Sequence, residues 1–139
     1  MANKNIRINA FNPVSGLVNV DQVVVDFTYK KSTDNIDNSL GSSDVGIIDL
    51  PKAVVRIEKF VSKVRTAEGA ATTADIGYTG SAAYFHNDLD INAVAETASS
   101  AAVVEIDNTA GDKYITITPS AAVDAAKMLL LVHMVIVDR

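Results

Sequence analysis

The chain has no cysteine, which excludes disulfides, thiolate metal centres and cysteine nucleophiles and leaves its redox compartment unmarked. Tryptophan is also absent, and four tyrosines and four phenylalanines are a thin supply for an aromatic-lined pocket. Long hydrophobic runs are missing. The longest, "MLLLVHMVIV", is about half of what a membrane-spanning helix needs, and "MANKNIRINAF" lacks the apolar core of a signal peptide. The expectation is synthesis in the cytoplasm and no membrane partner. Positive charge is in deficit, with 12 Lys and Arg against 17 Asp and Glu and a net charge of -5. That balance argues against a nucleic-acid partner, whose affinity rests on neutralising phosphates. The seven glycines are scattered and build no phosphate loop or dinucleotide fingerprint.

What remains is a β-rich pattern in a chain of 139 residues, a length that suits one domain. In "LVNVDQVVVDFTYK" Val23, Val25, Phe27 and Tyr29 alternate with Gln22, Asp26, Thr28 and Lys30, which predicts a half-buried strand. "KSTDNIDNSLGSSDVG", residues 31–46, is polar and rich in turn formers and reads as a long exposed loop. "TTADIGY", "AAVVEID" and "KYITITP" are short strands separated by Gly, Asn and Asp turns. The sum is an all-β chain, an antiparallel β-sandwich or barrel.

"LPKAVVRIEKFVSKVRTAEGA" is ambiguous. Val54, Ile57, Val61 and Val64 recur at helical spacing, yet six β-branched residues would cost a helix about 3 kcal/mol in sum. As a strand, Ala53, Val55 and Ile57 share one face, while Phe60 and Val64 fall on the other. One extra residue near Glu58 and Lys59 repairs the phase, so a β-bulge is expected there. The final strand, Met128 to Val137, is apolar on both faces except for His133. Its second face must meet another surface or be covered by the long loop.

The order Leu50-Pro51, "VRTAEGAATTADIGYTG", a "DL" segment and "AGDKYITITPSAAVDAAKMLLLVHMVIVD" resembles the β-sandwich decoration, or cement, proteins of tailed-bacteriophage heads, over about Leu50 to Asp138. "PKAVV" departs from that pattern in lacking a Gly after the proline. The resemblance implies a jelly-roll-like sandwich (residues 17–139) preceded by an N-terminal arm (residues 1–16). It implies a virion protein on the outer capsid surface, with the major capsid protein as partner and a trimer or dimer as its own state. It implies no catalytic residues. Candidate contacts are Ile6, Ile8 and Phe11 in the arm, Lys59 and Lys63 in the basic strand, and Leu129, Leu131, His133 and Val135 in the last strand. The alternative is a receptor- or glycan-binding module of a phage head fibre or tail, which needs an exposed aromatic platform.

Other chemistry is weaker. "HNDLDIN" puts His86, Asp88 and Asp90 on one face if extended, but a calcium site needs about six oxygen ligands. No metal or cofactor is expected. His133 in an apolar strand reads as a packing residue or a pH-sensitive interface contact. Ser120 follows Pro119 and is not a nucleophile elbow. Five basic residues between Lys52 and Arg65 face eight acidic ones between Thr66 and Asp112. These are either complementary halves of a contact between copies or solvated turn residues.

Overall fold

A computed structural model describes residues 2–5 and 19–138. Ile6, Ile8 and Phe11 lie outside the described residues. The strands, numbered in chain order, form two five-stranded sheets around one core. The first runs β1 (Ala2–Asn5), β5 (Asp44–Asp49), β11 (Tyr114–Pro119), β7 (Thr73–Tyr78), β8 (Ser81–Asp90). The second runs β10 (Val104–Asp107), β6 (Val54–Thr66), β12 (Lys127–Asp138), β2 (Asn19–Asp26), with β9 (Glu96–Ala98) also pairing β6. The pairs are antiparallel except β1 with β5, which run parallel. Among the described residues there is no α-helix, only a 3-10 turn at Ser32–Asp34.

β6 is a strand with the expected bulge. His133 is in register with Lys59 and Met134 with Ile57, so Glu58 is the extra residue. The phase shift puts Val55, Ile57, Phe60 and Val64 in the core at 2 % exposure or less. A second extra residue, Arg65, lies between the pairs Lys127 with Thr66 and Met128 with Val64. Both bulge residues are charged and exposed, which suits positions that no partner opposes.

Three expectations are corrected. Tyr29 does not continue the inner face of β2. The Asp26 carboxylate accepts hydrogen bonds from the Thr28 backbone N–H and hydroxyl, the chain turns, and Tyr29 is 38 % exposed. Residues 31–46 are not one open loop. They hold part of a small hairpin of β3 (Lys30–Lys31) and β4 (Ile36–Asp37), then a buried Leu40 bridged to Val123, then the start of β5. His86, Asp88 and Asp90 do not share a face. Asp88 takes a left-handed conformation (φ 55°), its N–H donates to Asp75, and His86 is buried while both carboxylates are exposed.

Polar side chains pin the corners. Buried Asn108 donates to the carbonyls of Leu50 and Pro51 and accepts from Lys113 N–H, which joins the β10–β11 turn to the entrance of β6. Glu68 is 6 % exposed, and its carboxylate accepts the N–H groups of Asp124, Ala125 and Ala126 at 3.4, 3.0 and 2.9 Å. Burial pushes its pKa up, and the amide donors outweigh burial, so it lies below the usual 4.5. At the β7–β8 hairpin, a Cβ on Gly77 would stand 2.0 Å from the Ser81 carbonyl oxygen.

Two outcomes follow from these corners. Gly77→Ala must move backbone rather than a flexible side chain, and costs about 2–3 kcal/mol in urea unfolding. A lowered carboxylate pKa contributes stability that is present above 4.5 and is lost as pH falls through the folded value. Glu68→Gln therefore lowers stability at pH 7 by roughly 1.5–3 kcal/mol, and its difference from the parent shrinks as the solution is acidified, measured by unfolding across pH 2–7.

Candidate docking surface

Alternation along β12 assigns its two faces. Met128, Leu130, Val132, Met134 and Ile136 point into the core at 5 % exposure or less. Leu129, Leu131 and His133 are half-buried on the opposite face, followed by Val135 (7 % exposed) and Val137 (39 %). Neighbouring strands extend this outer face. Leu129 lies in register with Lys63 of β6 and Val24 of β2, Leu131 with Val61 and Gln22, His133 with Lys59, and Val135 with Arg56. The structure thus brings Lys59, Lys63, Leu129, Leu131, His133 and Val135, named from the sequence, onto one surface.

Val137, the end of the apolar strand expected from the sequence, completes the stripe together with Val24 and Val61, which sequence reasoning missed. Val24 falls on the polar phase of "DQVVVDF" and is 45 % exposed. Val61 was legible: once Glu58 is taken as the bulge, Val61 shares a face with Lys59 and Lys63. The outer stripe is unevenly covered: Val61 and Val135 are 6 % and 7 % exposed, whereas Val24 and Val137 stand at 45 % and 39 %.

Among the described residues, the ion pairs on this face belong to Arg56. Arg56 pairs with Glu58 at 3.1 Å and reaches Glu105 of β10 at 4.0 Å. Lys63 is in register with Glu96 of β9, and Lys127 with Asp26 of β2. The basic and acidic segments of the sequence therefore meet in part inside one molecule. Such exposed pairs are worth only about 0.2–1 kcal/mol each in stability.

The aromatic side chains are used elsewhere. Phe60 stacks on Phe85 at 4.4 Å, Tyr84 packs edge-on against Phe85 at 5.2 Å, and the Tyr84 hydroxyl donates to the Ala102 carbonyl. His86 completes this cluster at the junction of β6 and β8, edge-on to Phe60, and burial pulls its pKa below 6.5. Tyr29 is the exposed aromatic residue among those described. No set of three His, Asp or Glu side chains among the described residues is placed to hold a metal ion. No described helix is long and apolar enough to cross a membrane.

The two faces of β12 predict different costs. Leu130→Ala, on the core side, destabilises by about 2–5 kcal/mol, whereas Leu131→Ser, on the open side, costs about 1 kcal/mol or less. Urea midpoints of the two variants check this, and equal losses would show that the outer face belongs to the core.

With this geometry in hand, comparison with family models, curated proteins and solved structures finds no match.

Proposed function

We propose that this chain is a noncatalytic structural protein that works by docking, and specifically a decoration protein of a tailed-phage capsid that stabilises the shell from outside. The observation that carries this reading is the outer face of the β6–β12–β2 sheet, an apolar stripe on a sandwich whose core is already complete. Val24 and Val137 remain exposed on this stripe, and an assembly gains the burial of what the single chain leaves open. The resemblance of residues 50–138 to capsid decoration proteins supplies the identity of the partner, the major capsid protein. The engagement of Phe60, Tyr84 and Phe85 inside the molecule weighs against a glycan-binding platform.

The mechanism is linkage. A ligand that binds only the assembled shell stabilises it by RT ln(1 + [L]/Kd), about 2.7 kcal/mol per site at a hundredfold excess over Kd. Repetition over the lattice multiplies that contribution without any chemistry at the site. Of the N-terminal segment expected as an arm, Ala2–Asn5 is already strand β1 on β5, so residues 6–13 are the proposed contact to the shell, through an added strand or a groove.

Co-sedimentation of the full chain with undecorated, expanded tailed-phage capsids tests the reading. The expected result is saturable binding at micromolar concentration and a higher melting temperature of the capsid. No pelleting at tens of micromolar overturns it.

A further inference from the structure

Among the described residues, β8 is paired on one side only, with β7, at the edge of the first sheet. Its ladder is interrupted twice. Between the pairs Tyr78 with Ser81 and Ile76 with His86, β7 has one residue, Gly77, and β8 has four, residues 82–85. Between Ile76 with His86 and Ala74 with Leu89, β7 has Asp75 and β8 has Asn87 and Asp88. Asp88 is the residue at φ 55°, with its N–H on the Asp75 carboxylate. The pair at His86 therefore stands alone between two irregularities, each of which disrupts the ladder. The first also lets two consecutive residues turn inward, Phe85 stacked on Phe60 at 4.4 Å and His86 edge-on to it at 5.9 Å.

His86 is 6 % exposed, and its Nε2 has no hydrogen-bond partner among the described residues. A neutral imidazole tolerates such a place. An imidazolium does not, because both ring nitrogens then carry protons to be donated and its hydration is lost. The titratable groups of the elements packed there are engaged or turned outward. On β7, Asp75 accepts the Asp88 N–H, and Tyr78 lies edge-on to Tyr84, whose hydroxyl is given to Ala102. On β6, Arg56 pairs with Glu58, while Lys59 and Lys63 share the outer face with His133 and Leu129. Asp88 and Asp90 of β8 and Glu96 of β9 are exposed, Glu105 of β10 reaches Arg56, Asp107 binds Thr109, and Tyr114 of β11 is in register with Asp49. Burial is the cause that holds the His86 pKa below 6.5.

We propose that β8 is an acid-released edge: protonation of His86 frees residues 82–90 from β7 and uncovers Phe60 and Phe85, while the β6–β12–β2 ladder stays closed. The sign follows from linkage. A histidine whose pKa is lowered in the closed state takes up its proton more readily once the strand has opened, so closure is fully stable above pH 6.5 and weakens as pH falls below it. The opening equilibrium grows by up to about tenfold per pH unit until the closed-state pKa is passed. Opening stays local because β8 has one irregular ladder, whereas β12 is held between β6 and β2. The release needs no capsid and goes beyond the docking role of the other sheet.

Amide hydrogen exchange of the full chain, followed by NMR between about pH 7 and 5, tests it in a window above the ordinary carboxylate range. Protection of the β8 amides, corrected for intrinsic exchange rates, is expected to fall by up to about tenfold per pH unit below 6.5, with the amides of Leu130 to Met134 unchanged. His86→Phe keeps a ring against Phe60 and removes the proton, and His86→Gln removes both; each is expected to hold β8 protection flat across the window. His133→Gln removes the chain's other histidine and should leave the fall as in the parent. Flat β8 protection in the parent, the same fall in either His86 variant, or an equal fall from Leu130 to Met134 overturns the proposal. So does a His86 ring titration, read from its Cε1 proton, with a midpoint at or above 6.5.

Discussion

The pairing of β6 with β12 is the constraint on which the second sheet depends. Side chains on a strand alternate with period two, so a strand of thirteen residues has only two possible assignments of its faces unless the phase is broken. In β6 it is broken at Glu58, and this lets Val55 and Ile57 before the bulge share the core with Phe60 and Val64 after it. The same shift decides the outer face, because it sets Lys59, Val61 and Lys63 beside His133, Leu131 and Leu129. One unpaired residue thus fixes both the hydrophobic interior and the composition of the open surface.

Local polar chemistry holds the ends of the sheets. At Asp26, Asp37 and Asp107 the carboxylate accepts the backbone N–H and the hydroxyl of the Ser or Thr two residues on. These motifs stop strands where apolar alternation would otherwise continue. Asn108 and Glu68 act at longer range, and each satisfies several backbone groups that a corner would leave unpaired.

Much of this architecture was legible because it rests on patterns within single segments. The β-branched content of residues 54–66 and the slip in their alternation were enough to place the bulge, and the double apolar face of the last strand marked it as unusual. What escaped depended on pairs distant in sequence. The short hairpin of β3 and β4 has no periodicity to detect, and Leu40 is a lone apolar residue in a polar run that is buried only because Val123 lies opposite. The approach of Arg56 to Glu105 follows from the register of β6 with β10, which no local pattern encodes. Asp88 reverses its expected facing through a backbone conformation rather than a side-chain preference.

The chain order of the second sheet has a kinetic side. β12 lies in the middle of that sheet, between β6 and β2, yet of these strands it is the latest in sequence. Val24 waits for Leu129, and Phe60 for Val132, before either strand has its central neighbour. Contacts that span so much chain form slowly, and during synthesis β2 and β6 present edges and apolar residues with no partner in place. Glu58 and Arg65, charged and set out of register, interrupt the edge of β6 in that interval. The irregularities that shape the finished sheet also make its unfinished form a poorer template for pairing with the wrong chain.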